Sequence, residues 1–137
     1  MNPAFLDTNI FVYHLTNNHP DHSPRCSALL AEVEAGALRA YTSVTAIDET
    51  LRVLTKAFGH DRAAAGEMFS LMLTPPDIQI DHRDAVLNAI EFWTQQSPLS
   101  FVDCFHLALT AELGLSEIYS FDKKMDRYPG VERIEPE

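Results

Sequence analysis

Basic residues are scarce in this chain, cysteine is nearly absent, and no long apolar run occurs. Ten Lys and Arg face twenty Asp and Glu, a formal net charge of −10 over 137 residues. A strongly acidic chain repels nucleic acid unless its charge is local and neutralised, which excludes a simple DNA- or RNA-binding module built on a basic surface. It leaves room for clustered carboxylates that hold a divalent cation, and for a basic partner protein. The two cysteines, Cys26 and Cys104, both lie in apolar helical patterns. They read as buried small hydrophobes in a reducing compartment, not as a disulfide or a metal pair. No apolar run approaches the ~20 residues that span a bilayer, so no membrane partner is expected. The first apolar run begins at Ala4 with no basic leader before it, so no signal peptide is expected and the cytoplasm is the expected compartment. HExxH, a Cys/His framework at structural-zinc spacing, a Walker-type glycine loop and GxSxG are all missing.

What is present points to one globular α/β domain over residues 1–137. Apolar content of 46% suits a packed core, and charged content of 22% argues against disorder. The stretch AFLDTNIFV, Ala4 to Val12, organises the rest. Ala4-Phe5-Leu6 reads as a short, buried strand, and Asp7, Thr8 and Asn9 as capping types that open a helix. Asn17 to Pro24 is turn-rich, and a helix is expected from about Pro24 to Ala37. A strand at 39–43 leads to helices over about 45–58 and 61–73, the second capped by Asp61 and broken by Pro75-Pro76. A strand at 78–80, helices over about 83–96 and 100–113, and strands at 117–121 and 131–134 complete the order. Long helical stretches between strands are what parallel crossovers require.

Several acids sit in contexts that a solvated surface does not need. Asp7 and Asp122 each follow an apolar strand directly, and Asp103 lies in the first turn of the apolar helix SFVDCFHLALTAELG. Ligands of open α/β sheets bind at the carboxyl ends of strands, where these acids fall. Capping and turn roles account for each of them equally well one at a time. Ser100-x-x-Asp103 in particular is a shortened capping box. Glu49 falls opposite the stripe Ile47, Leu51 and Leu54, on the face of Arg52 and Lys56. Periodicity alone makes it a solvated glutamate, and Asp48 is as good a local candidate.

DTN after a first strand, TAIDETLRVL, SFVDCFHLALTAELG and YSFDKKMDRYPGVERIEP, in this order and spacing, resemble a PIN domain, and more closely the toxin ribonucleases of the VapC type. The resemblance implies a three-layer α/β/α fold with a mostly parallel central sheet. It implies metal-site roles for Asp7, Glu49, Asp103 and Asp122, and selects Glu49 over Asp48 because Glu49 precedes the Leu-Arg-Val-Leu segment. Thr8 and Ser120 match small polar positions near that site. Lys124 stands where the family often carries a further acid, and Asp126 is the nearby acid that would replace it. The resemblance also implies a cognate antitoxin and a homodimer, for which Met68, Met72, Phe58 and Phe69 offer apolar surface.

The chemistry has its own logic. Several carboxylates within a few ångströms repel one another, and a hard cation such as Mg²⁺ or Mn²⁺ removes that penalty and prefers oxygen ligands. Such an ion would activate water and stabilise charge on a phosphodiester; with the RNA substrate that the resemblance implies, in-line attack leaving 5′-phosphate and 3′-hydroxyl ends is the expected chemistry. Lys123, Lys124 and Arg127 are candidates for backbone contact. His14, His19, Asp21 and His22 read as a polar loop rather than a zinc site, and His106 as an ordinary helix residue. Two rival readings are a PIN fold that only binds a partner and a receiver-like phosphoacceptor. The run from Val44 to Leu73, two helices with no strand between, argues against the receiver.

Overall fold

Asp7, Ser43, Asp61 and Ser100 each end an extended segment and open a helix, in a computed structural model that describes residues 2–95 and 98–137. All four have extended backbone, and their side-chain oxygens accept from Thr8, Ala46, Ala64 and Asp103 N–H at 2.8, 3.2, 2.8 and 3.1 Å. Such caps satisfy donors that the first helical turn leaves without a partner. The chain divides into two compact units, Met1–Asp81 and His82–Glu137.

The first unit runs β1 (Ala4–Phe5), α1 (Thr8–Thr16), α2 (His22–Glu34), β2 (Ala40–Tyr41), α3 (Val44–Lys56), α4 (Arg62–Leu73) and β3 (Ile78–Gln79). Its sheet is wholly parallel in the order β1-β2-β3, with Ala4 opposite Ala40 and Ala40 opposite Ile78. Each crossover carries a helix pair, as the alternation of elements requires. Ile47, Leu51 and Leu54 of α3 are buried, on the stripe that the helical spacing marks. Phe11 of α1 and Phe69 of α4 are both fully buried, their ring centroids 5.2 Å apart.

The second unit runs α5 (Arg83–Gln95), α6 (Phe101–Glu112), β4 (Glu117–Tyr119), a 3-10 turn (Lys123–Arg127) and β5 (Glu132–Ile134). β4 and β5 are parallel, with Ile118 opposite Arg133. Val86, Ala89, Ile90 and Trp93 of α5 and Cys104, Leu107 and Ala108 of α6 are buried where these helices pack together. Gly114 ends α6 at φ +75, a conformation that costs glycine nothing. The expected end of α5 at Gln96, and Ser97 after it, lie outside the described residues.

The α/β class and the element order match the sequence reading, but several details differ. The strands are two or three residues long and form two separate ladders among the described residues. Ala4 and Phe5 are exposed rather than buried, Phe5 by 60%, and so are Tyr119 and Phe121, by 70% and 71%. Side chains alternate across a strand, which turns Phe5 to the face opposite the buried Leu6. α2 starts at His22, ahead of Pro24; its N-cap residue Asp21 makes no side-chain capping bond, and His19 Nδ1 instead accepts from Asp21 and His22 N–H at 3.2 and 2.9 Å. Proline then falls in the first turn, where a missing N–H costs nothing. Phe69 is a core residue and not interface surface, whereas Met68 and Met72 are half-buried and Phe58 is 38% exposed. Cys26 and Cys104 are buried thiols outside any disulfide. Burial pushes the Cys26 thiol up, against a smaller opposing pull from Arg25.

His14 of α1 approaches Ser27 Oγ of α2 at 2.8 Å through Nδ1, and burial lowers its pKa from the ordinary histidine value. A lowered folded value means that the unfolded chain takes up the proton first. The contribution to stability is therefore complete above about pH 6.5, the unfolded value, and is lost as pH falls through the folded one. The gap in thermal midpoint between the natural chain and His14→Gln is expected to shrink between pH 7.5 and pH 5. A gap that stays constant over that range would refute the linkage.

Candidate carboxylate site

Asp7 follows Leu6, whose N–H donates to Tyr41 O at 2.7 Å and whose carbonyl accepts from the buried Thr42 Oγ1 at 3.0 Å. The end of β2 thus fixes the backbone that leads into Asp7. Asp7 Oδ1 caps α1 through Thr8 N–H at 2.8 Å. Thr8 is buried, and its hydroxyl donates to Glu49 Oε2 at 2.9 Å across 41 residues of sequence. Asp7, Thr8, Glu49, Arg52 and Lys56 line one cavity of about 480 Å³. Asp48 is turned to Arg52 instead, Oδ2 to Nη2 at 3.0 Å. The α3 face that periodicity marks as solvated is this cavity's wall, so Glu49 is exposed and still engaged.

In the second unit, Asp103 stands three residues after its cap, Ser100, and is half-buried. The capping box is only half made. Asp103 N–H donates to Ser100 Oγ at 3.1 Å, but the Asp103 carboxylate accepts from no described residue. Asp122 N–H donates to Ser120 Oγ at 3.0 Å, and Asp122 Oδ1 caps the 3-10 turn through Lys124 N–H at 3.0 Å. Lys124 Nζ lies 3.7 Å from Asp122 Oδ2. Asp126 is held by Arg133 Nε at 2.8 Å. Lys123 and Arg127 are exposed and form no ion pair among the described residues.

The structure therefore joins Asp7, Thr8 and Glu49 within the first unit, and Ser120 with Asp122 within the second. Among the described residues, no three His, Cys, Asp or Glu side chains are grouped to hold an ion, the histidine loop included. There His19 stacks on His22 with centroids 3.9 Å apart, and Tyr13 meets both edge-on. The donor chemistry of the first unit nevertheless suits a hard divalent ion. Asp7 Oδ2 and Glu49 Oε1 accept from no described residue and so keep oxygen lone pairs free, as Mg²⁺ or Mn²⁺ requires. Sequence reasoning missed Thr42 and the cavity role of Arg52 and Lys56. A small polar residue after a strand carries no distinctive signal. The spacing of Glu49, Arg52 and Lys56 on one helix face was readable.

Two relatives are similar along almost the full length. VapC ribonuclease Mb1869c of Mycobacterium bovis and ribonuclease VapC13 of Mycobacterium tuberculosis are each 26% identical over 139 residues, covering 94% of this chain and 97% of theirs. Among solved structures, VapC20 of Mycobacterium tuberculosis, described as a sarcin–ricin loop cleaving toxin, aligns at 22% identity and a TM-score of 0.41, over 94% of this chain and 97% of that one. The family model of the PIN domain matches residues 4–131, a span that runs through both compact units. The chain belongs to the PIN domain family.

Proposed function

We propose that this chain is a metal-dependent endoribonuclease and the toxin of a type II toxin–antitoxin pair. The observation that carries the reading is the Thr8–Glu49 hydrogen bond, which sets two carboxylates of a PIN-family chain in one open cavity. Asp7 and Glu49 of the first unit are the proposed oxygen ligands, Asp103 and Asp122 of the second are proposed as further metal-ligating acids, and residues 1–137 are proposed as one domain. Support for that set is the family match across both units and the uncommitted carboxylate of Asp103. A bound Mg²⁺ or Mn²⁺ would activate water and stabilise charge on the phosphodiester. Thr8 orients Glu49, and Ser120 orients the backbone of Asp122. Lys56 lines the cavity with its ammonium unpaired among the described residues, and Lys123 and Arg127 of the second unit are exposed; each is a proposed contact for RNA phosphates. Lys124 is already engaged by Asp122 and contributes less.

A basic antitoxin segment suits a chain of net charge −10. Half-buried Met68 and Met72 beside exposed Leu71, around a cavity of about 420 Å³, give it or a second copy apolar surface. The cytoplasm is the proposed compartment. No described helix is long and apolar enough to cross a membrane.

The test is total RNA incubated with the purified chain in Mg²⁺, in Mn²⁺ and in chelator. Discrete fragments with 5′-phosphate ends, seen only with metal, are the expected result. Intact RNA under all conditions, from folded and antitoxin-free protein, would favour a PIN fold that only binds.

A further inference from the structure

In the second unit, a single guanidinium grips the chain on both sides of Asp122. Arg133 sits on β5 with its side chain only 11% exposed. Its Nη1 donates to the carbonyl of Ser120, two residues before Asp122, at 2.9 Å. Its Nε donates to Asp126 Oδ1, four residues after Asp122, at 2.8 Å. Glu135 takes a further bond from Nη1. Between these anchors, Ser120 Oγ accepts the Asp122 N–H at 3.0 Å, and Met125 N–H donates to the Asp122 carbonyl at 3.0 Å. The short segment 120–126 is thereby closed at both ends, with the Asp122 carboxylate in its middle.

From this geometry we infer that Arg133 is a positioning residue, which fixes the direction of the Asp122 carboxylate through Ser120 and Asp126. The inference rests on the proposed reading of Asp122 as a metal ligand. A planar fork makes these bonds at once, and a lysine ammonium on a flexible stem does not reproduce them. Bonds to an ionised partner are also short and directional. Asp126 is on this account the acid of the clamp and not the replacement for the acid absent at Lys124. Its carboxylate is 55% exposed and is spent on Arg133. Ligands are oriented by such outer partners, whose loss costs roughly 10–100-fold in metal affinity.

The test is Mn²⁺ binding to the full chain by calorimetry, without RNA, for the natural protein, Arg133→Lys, Asp126→Ala and Asp122→Asn, with the metal-free thermal midpoint of each. Arg133→Lys and Asp126→Ala are expected to bind Mn²⁺ about tenfold more weakly, and Asp122→Asn more weakly still. Asp126→Ala removes an exposed side chain and keeps the fold testable if Arg133→Lys does not. Natural affinity in both clamp variants, with affinity lost in Asp122→Asn, would overturn the clamp and leave the site intact. Natural affinity in Asp122→Asn would overturn the ligand reading itself. A loss in Asp126→Ala as deep as that in Asp122→Asn would make Asp126 a ligand and also overturn the clamp.

Discussion

Glu49→Gln is expected to lower metal-dependent RNA cleavage by about 100-fold or more, and Asp48→Asn, one residue away, to leave it within a few-fold. The two acids are neighbours in sequence but not in what they touch. Glu49 Oε2 accepts from Thr8 Oγ1 at 2.9 Å and lines the Asp7 cavity, whereas Asp48 is spent on Arg52 at 3.0 Å. Losing an outer partner of a metal ligand costs roughly 10–100-fold, so losing a ligand should lie at or beyond the top of that range. Thr8→Val tests the gradation. It removes the hydroxyl that orients Glu49 but keeps the proposed ligand, and a loss of about tenfold is expected. Asp48→Asn removes a partly exposed ion pair on one helix face, worth about 0.3–0.5 kcal/mol of stability. The measurement is single-turnover cleavage of one RNA across a Mg²⁺ titration. Equal losses in the Glu49 and Asp48 variants would mean that the cavity is not the reacting site.

The contrast between those two acids also shows what the sequence could and could not carry. Helical spacing put Val44, Ile47, Leu51, Leu54 and Phe58 on the α3 core stripe and Glu49 on the outer face; Ile47, Leu51 and Leu54 are buried and Glu49 is exposed, whereas Val44 is half-buried and Phe58, beyond the helix end, is exposed. Spacing could not say that the outer face is a wall of a cavity, because that depends on Thr8, a residue 41 positions away. Local chemistry was legible where it acts within a few residues. Asp61 and Ser100 cap the helices they were expected to cap. It failed at α2, where Asp21 holds the N-cap position without a side-chain bond and the His19 ring accepts the Asp21 and His22 N–H instead. Burial of the strands was overestimated for a related reason. An apolar pair such as Phe5 and Leu6 says that one face is covered, not which neighbours cover the other. Arg133 was invisible as a clamp, since its partners lie seven and thirteen residues back and two ahead.

Phe69→Ala is expected to cost about 3–5 kcal/mol, the range for truncating a fully enclosed aromatic. Phe69 has no exposed surface, and its ring lies 5.2 Å from that of Phe11, which is equally enclosed. Small domains have only about 5–15 kcal/mol in total, so one truncation removes a large share. For a chain of 137 residues the far-UV thermal midpoint should fall by roughly 10–15 °C. Met72→Ala on the same helix is the control. Its side chain is half-buried, has less contact to lose and should shift the midpoint much less. The effect reaches function because Phe11 belongs to α1, the helix that Asp7 caps and Thr8 begins. A loosened α1 relaxes the Thr8–Glu49 geometry, so residual cleavage below the midpoint should need more metal than in the natural chain. Trp93, the only tryptophan, is buried in α5 of the second unit and reports independently. In one cooperative PIN domain over residues 1–137, its fluorescence transition should move with the far-UV signal. Two separated transitions, with that of Trp93 unmoved, would show that the units melt apart and would limit the Phe69 effect to the half that carries Asp7 and Glu49.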